Sequence, residues 1–534
     1  MSHGDRPASN PGGTRSPVLG MNGMVATSQP LASAAAVRIL QEGGNAVDAA
    51  ITAAAVLNVV EPNSTGIGGD MFALVYMQQD GKPVGLNGSG WAGSKASVEF
   101  FKQRRLPNVP LFGMYSVTVP GAVAGWYKLH QRYGKLSMSR VLAPAIEYAE
   151  KGFPVSDIIS DQWAHAQERL RATPDAARHG LIDGRSPRQG DVFKMPELGR
   201  SLRIILDGGR DAFYKGELAK KIVQFSEKND GMLTLPDFAD FDAQWIEPVS
   251  TNYRGHDVYE LGAQTHGITA LEMLNILEPY DLQSLGHNSA EHLHLMIEAK
   301  KLAFADRDAY IADPDKVKVP VARLISKEYA AERRKLISEL HAMPSPRPGL
   351  RENGDTVYLT VVDKDHNAVS FINSLFENFG SGLVAGDTGI VLHNRGALFE
   401  LDPSHPNVIA ARKRPFHTLI PGMVLKGGKP VWSFGVMGGD NQPQGHVQAL
   451  INRIDFGMDV QEAGEAPRFR HSGEEVLLES AFSLSVRSEL TKKGHHIAAA
   501  VDAWGGYQGI VIDSRAGVLM GGSDPRKDGL AMGW

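Results

Sequence analysis

The chain has no cysteine among its 534 residues, which excludes disulfides, thiolate metal sites and a cysteine nucleophile and leaves the redox compartment open. It also lacks a long uncharged apolar run. The most apolar stretch, 34–60, is interrupted by Arg38, Glu42 and Asp48, and its uncharged remainder from Ala49 is too short to span a bilayer. Excess charge is small as well: a formal net charge of −5 gives no reason to expect nucleic acid or an anionic membrane as a partner. No internal repeat or low-complexity tract stands out. Residues 1–17 are rich in Ser, Gly, Pro and Arg without an apolar core, so they do not read as a secretory signal. A disordered lead-in over 1–20 and a cytoplasmic enzyme are therefore expected.

What is present is the make-up of a soluble globular protein, and length alone suggests about three or four domains. Gly23-Met24-Val25-Ala26-Thr27 reads as a short strand. Pro30 opens a helix that ends at Gly43-Gly44, and Asn45 caps a second one over 45–59, both alanine-rich and buried. The Gly-rich Ser64-Thr65-Gly66-Ile67-Gly68-Gly69-Asp70 follows a helix and precedes a strand at 71–77. That order does not suit a dinucleotide fingerprint, and a tight turn with close backbone approach is the better reading. From Trp126 to Leu350 helices and connectors predominate, with 174–190 and 343–351 the expected exposed loops. His292, His294 and Glu298 lie on one expected helix, where only His294 and Glu298 share a face; two ligands do not make a metal site.

The richest stretch is 354–374. Two β-rich runs flank a polar Asp365-His366-Asn367 turn, which predicts a hairpin, and Phe379-Gly380-Ser381-Gly382 follows at once. Thr356 stands where a loop enters the first strand. A threonine hydroxyl is a poor nucleophile unless a base lies beside it, and a free α-amine on the same residue can serve. Cleavage of the Asp355–Thr356 bond would create that amine, with an unperturbed pKa of about 7.7–8.0. A threonine opening a strand is also simply a residue suited to extended backbone.

Residues 356–382, with Ala385-Gly386-Asp387-Thr388-Gly389-Ile390-Val391-Leu392-His393-Asn394, resemble the nucleophile segment of the gamma-glutamyltranspeptidase family. The resemblance extends over nearly the whole chain. It includes Glu42-Gly43-Gly44-Asn45-Ala46-Val47-Asp48, Val119-Pro120-Gly121, Gly438-Gly439, Ala466-Pro467-Arg468-Phe469-Arg470 and Gly521-Gly522-Ser523-Asp524-Pro525. It implies an N-terminal-nucleophile hydrolase of α+β class, a four-layer αββα sandwich. It also implies self-cleavage after Asp355 into 1–355, mainly helical, and 356–534, strand-rich, the two fragments remaining associated and a higher oligomer left open. Thr356 would be nucleophile and, through its amine, base. Ser374 stands where the family has a threonine bonded to the nucleophile, and Gly438 and Gly439 would form the oxyanion hole. No metal and no organic cofactor is implied.

The substrate-reading positions depart from the family. An arginine for the substrate α-carboxylate is replaced by Ser89, an asparagine by Phe376, an aspartate for the α-amine by Leu398, and a serine pair by His417-Thr418. A site that loses such partners loses most of its preference. Arg395, Lys413, Arg414 and His417 lie close by in sequence and suit an anionic group. The expectation is a hydrolase of a small acyl amide, of oxamate type or with a dicarboxylic acyl group. A true gamma-glutamyl hydrolase or transferase, and an uncleaved relative acting as a binding protein, are the alternatives.

Overall fold

The computed structural model of the protein describes residues 14–344, 355–498 and 504–534, and the side chain of Asp355 also lies outside that description. Alternation along the predicted hairpin builds its centre. In Asp355–Asp363, Val357, Leu359 and Val361 pack among helices, whereas Tyr358 and Val362 pack against a second sheet. In Ala368–Phe376, Val369, Phe371 and Leu375 take the helical side, and Ala368 and Ile372 the inter-sheet side. A strand buried on both faces has no polar edge to its pattern, which is why both read as near-continuous apolar runs.

The hairpin lies in the middle of a seven-stranded sheet. Its order is Leu530–Gly533, Gly23–Thr27, Asp355–Asp363, Ala368–Phe376, Asp70–Tyr76, Pro83–Gly88 and Gln244–Ile246. The facing seven-stranded sheet runs Val18–Gly20, Val518–Ser523, Tyr507–Asp513, Lys429–Val436, Gly422–Lys426, His256–Glu260 and Val249–Tyr253. Neighbours in both are antiparallel. Pro30–Gln41 and Ala46–Val60 cover the outer face of the first sheet, and Gly267–Leu277 and Asn441–Ile454 that of the second. The expected αββα sandwich is the fold. Between the sheets, Thr360 Oγ1 meets Ser433 Oγ at 2.6 Å, and the Tyr358 ring fills the space above Gly435, where an added Cβ would come within 2.4 Å of it.

The helix Ala46–Val60 is buried along its whole length, and its start is fixed by a capping box: Asn45 accepts from the N–H groups of Val47 and Asp48, and Asp48 accepts from Asn45 N–H. Three expectations need correction, and one needs an addition: the part of the chain before Thr356 is mainly helical, as expected, and also supplies strands to both sheets, including the hairpin Val249–Tyr253 and His256–Glu260. That hairpin turns at Arg254-Gly255, both at positive φ, so its turn signal is a Gly after a residue seldom found there. Residues 174–190 are not all loop: Thr173 caps and Pro174 opens the helix Pro174–Gly180, whose Ala176 and His179 are buried. The expected lead-in ends early, because Val18–Gly20 is already an edge strand, while its first 13 residues, like 345–351 of the second expected loop, lie outside the described residues. Interleaving of strands from both sides of the Asp355–Thr356 bond also replaces the three or four domains suggested by length.

Among the described residues seven buried histidines have lowered pKa: His179 at about 4, His266, His292, His417 and His495 at about 3, and His294 and His471 also lowered, in each case chiefly because burial penalises the imidazolium. The unfolded chain takes up protons near pH 6.5, but the folded chain does not until about pH 3–4. Stability should therefore be full above about pH 6.5 and fall as pH drops through this window, by at most about 1.4 kcal/mol per pH unit for each such group. Urea midpoints measured from pH 7.5 to 4.5 should decline below about pH 6; a flat series would contradict neutral burial of these rings.

Candidate active site

The ladder slips opposite Thr356. Asp355 pairs with Phe376 and Val357 with Asn373, so Ser374 and Leu375 together face one residue of the partner strand. Such a bulge re-aims a side chain. Leu375 N–H leaves the ladder to donate to Ser64 O at 3.0 Å, and Ser374 turns to Thr356, Oγ to Oγ1, at 3.0 Å. Both residues are buried, and alternation with Tyr358 and Ile372 directs both between the sheets.

Arg395 completes a chain of contacts with them. It opens the short 3-10 turn Arg395–Leu398 and is fully buried. Its Nη1 donates to Thr418 Oγ1 at 2.8 Å and its Nη2 to Ser374 Oγ at 3.2 Å, while its Cζ lies 4.4 Å from the centroid of the Phe376 ring. Its Nε–H has no partner among the described residues. Phe376 N–H also donates to Ser374 Oγ, at 2.8 Å, from a backbone with φ of 79°. For an aromatic residue this is a strained conformation, held by the packing around it. Burial lowers the Arg395 guanidinium to about 9, with Asp70 and Glu377 opposing the shift, so it stays charged at neutral pH.

Asp70 is the ladder partner of Ser374. Its carboxylate accepts from His417 Nε2 at 3.0 Å and from Gly90 N–H at 3.0 Å, and His393 Nδ1 lies at 3.3 Å. Burial alone would raise the Asp70 carboxyl; His393 and His417 hold it below the usual carboxylate range. His417 Nδ1 accepts from Leu419 N–H at 3.3 Å, so its proton sits on Nε2 and the ring is neutral. The Gly-rich loop leading to Asp70 is a close backbone approach, as expected. A Cβ on Gly68 would lie 2.0 Å from Val391 O, and one on Gly69 2.3 Å from Ser374 O.

The remaining expected residues fall into two groups. Phe376 and Leu398 share an apolar cluster with Ile268 and Phe416 beside Arg395. Ser89 stands one contact further away: its Oγ accepts from Gln264 Nε2 at 2.7 Å, and Gln264 O accepts from His417 N–H. Gly438 and Gly439 follow the strand Lys429–Val436, with φ of 117° and 56°, and lead into the helix Asn441–Ile454. The contacts Thr360–Ser433 and Tyr358–Gly435 step two residues along each strand. Thr356 and the Met437 end of that strand, just before the two glycines, therefore lie toward the same end of the paired sheets. Neighbouring Asp440 is paired with Arg307 Nη1 at 2.8 Å.

Sequence reasoning missed Asp70, whose only local signal is the glycine pair before it, and Arg307 with Asp440, which are far apart in the chain. It also missed His495, which joins His294 and Glu298 so that their ligand atoms lie within 4.8 Å of one another. Those atoms already have partners. His294 Nε2 donates to Ser338 O, His294 Nδ1 meets His495 Nε2, and Glu298 accepts from Lys301 Nζ and Met343 N–H. The trio is a clamp on 338–343. A cavity of about 600 Å³ lined by Gly43, Lys135, Asp363 and Trp534 lies at the turn end of the hairpin, the opposite end from Thr356.

Residues 32–534 match the family described as gamma-glutamyltranspeptidase. The glutathione hydrolase-like YwrD proenzyme of Bacillus subtilis is 41% identical over 529 residues, covering 97% of this chain and 99% of that protein. The oxamate amidohydrolase proenzyme of Klebsiella pneumoniae is 36% identical over 527 residues, covering 96% and 98%. Among solved structures, cephalosporin acylase from Bacillus halodurans superposes with a TM-score of 0.93 at 42% identity, covering 99% of each chain. With this fold and this likeness along its length, the chain is a hydrolase of amide bonds and belongs to the gamma-glutamyltranspeptidase family.

Proposed function

We propose that the protein cleaves itself between Asp355 and Thr356 and then hydrolyses a small acyl amide whose acyl part carries a carboxylate. In the first step Thr356 Oγ1 adds to the Asp355 carbonyl, the C–N bond breaks in favour of an ester, and water releases a fragment ending at Asp355. The products are a C-terminal carboxyl group and a free amine on Thr356. In turnover, Thr356 Oγ1 attacks the substrate carbonyl while its own amine takes the proton. The Gly438 and Gly439 N–H groups receive the oxyanion, the amine leaving group takes a proton and departs, and water hydrolyses the acyl ester. A lost oxyanion donor of this kind costs about 2.7–4 kcal/mol of barrier.

The observation that supports the carboxylate is Arg395. Of the four basic residues near the altered positions, Lys413 donates to Pro406 O, Arg414 to Ser89 O and Asp315, and neutral His417 to Asp70. Arg395 alone keeps an Nε–H without a partner among the described residues, and it is two hydrogen bonds from Thr356. A buried guanidinium is suited to a planar carboxylate. Its neighbours Phe376 and Leu398 carry no carboxylate or amide oxygen for an ammonium, which argues against a γ-glutamyl group. Oxamate-type amides and dicarboxylic acyl amides fit this description. The relatives named as glutathione hydrolases keep the γ-glutamyl reading as the competitor.

Aged protein should run as two bands in denaturing electrophoresis yet elute as one species under native conditions, because strands from both fragments interleave in each sheet. Thr356→Ala should remain one full-length band without amidase activity, and Thr356→Ser should keep some of both. Processing and activity in Thr356→Ala would contradict the proposal. Purified enzyme should release ammonia from oxamate, or amine from a glutaryl amide, faster than p-nitroaniline from γ-glutamyl-p-nitroanilide; the reverse order would favour the competitor.

A further inference from the structure

We propose that Gln442 and His446, one turn apart on the helix Asn441–Ile454, wedge two strand ends apart and so set the spacing between the oxyanion glycines and the segment that meets Arg395. The inference rests on the amidohydrolase reading above and assigns both residues a positioning role. The strands Gly422–Lys426 and Lys429–Val436 pair as far as Gly422 and Phe434. The next rung of that register would join Ile420 to Val436. Both N–H groups of the rung go to helix side chains instead: Ile420 N–H donates to Gln442 Oε1 at 3.0 Å, and Val436 N–H to His446 Nε2 at 3.0 Å. Residues four apart share a helix face, so one face supplies both acceptors. Gly445 lets the helix lie close, since a Cβ there would come within 2.7 Å of Val436 Cγ1. Ile420, Val436, Gln442 and His446 are fully buried, so neither N–H can turn to bulk water.

The two ends lead to different halves of the site. Before Ile420 lie Thr418, whose Oγ1 accepts from Arg395, and His417, which donates to Asp70. After Val436 come Met437, Gly438 and Gly439. The far side of this second arm stays in its ladder, with Val436 opposite Tyr507 and Met437 N–H donating to Gly506 O at 3.0 Å. The hydrogen on His446 is fixed from both sides. A backbone N–H can only donate, so Nε2 is the bare nitrogen and Nδ1 carries the hydrogen. Nδ1 donates to Glu260 Oε1 at 2.7 Å, and Glu260 is fully buried at the end of the strand His256–Glu260, on the other side of Gly422–Lys426. A continued ladder would satisfy both N–H groups with no side chain at all. Strands so paired lie about 4.7–4.9 Å apart. What the inserted pair adds is separation, which leaves one arm free to meet the acyl group and the other its carbonyl oxygen.

The test uses the processed enzyme and whichever of oxamate and glutaryl-p-nitroanilide the parent turns over faster, with oxalate or glutarate as the matching competitive inhibitor. His446→Asn keeps a polar group near Nδ1 and loses the one that reaches Val436; His446→Gln does the reverse. His446→Asn should lower kcat about tenfold or more, with KM and the inhibition constant within about twofold of the parent. His446→Gln should recover most of kcat. Gln442→Met should raise KM and the inhibition constant about tenfold, with kcat within about threefold. Gln442→Glu, which keeps Oε1, should recover part of the affinity. The backbone bond from Gln442 N–H to Gly439 O is present in every variant, so the glycine turn itself is not the quantity tested. The inference is overturned by equal kcat losses in His446→Asn and His446→Gln, by parallel changes of kcat and KM in His446→Asn and Gln442→Met, or by parental kinetics in all four. Failure of His446→Gln and Gln442→Glu to fold or to cleave themselves also overturns it, because both retain the acceptor. A parent protein that neither cleaves itself nor turns over either substrate defeats the amidohydrolase reading first, and is recognised without any variant.

Discussion

The whole arrangement depends on one irregularity in a hydrogen-bonded ladder. Regular pairing of Asp355–Asp363 with Ala368–Phe376 would place one residue opposite Thr356; the bulge places two, and Ser374 turns to meet it. That displacement is sustained from several directions. Leu375 N–H is satisfied by Ser64 O, the glycines before Asp70 allow the loop to lie against Ser374, and Phe376 accepts a positive φ. A buried ladder does not break without replacement partners for its N–H groups, and here the replacements come from the Gly-rich loop.

The location of the bulge explains why the site can be both dry and charged. Thr356 faces the gap between two sheets, filled further along by Tyr358, Val362, Ile372 and Met423. Polar groups in such a place must find one another, and Asp70, His393, His417, Thr418, Arg395 and Ser374 do so in an unbroken chain of contacts. In low dielectric each of these interactions is stronger than in water, and each unpaired group is costlier. The Nε–H of Arg395, unpartnered among the described residues, is therefore the most informative group in the site.

Much of this was legible in the sequence. The strand Gly23–Thr27, the helix Pro30–Gln41, the cap at Asn45 and the central hairpin all follow from local signals that agree with the fold. Thr356, Ser374, Arg395 and Thr418 were within reach because they lie in or near one motif-bearing stretch. Asp70 was not, because its link to Ser374 is a cross-strand register made by residues some 300 positions apart. The strands at 244–260 were missed for a related reason: short edge segments beside helices carry little pattern of their own, and tertiary pairing decides them. His417 shows the limit of reading charge from composition, since a histidine beside basic residues proves to be neutral and committed to a carboxylate.

The central claim is that Thr356 becomes a chain terminus and carries the acyl group. Acid-quenching the enzyme during steady turnover of a slow acyl amide, followed by peptide mass spectrometry, addresses it directly. The account predicts a peptide whose first residue is Thr356, heavier by the mass of the acyl group, with the addition on that residue. An acyl group found only on another residue, or no peptide beginning at Thr356, would contradict it.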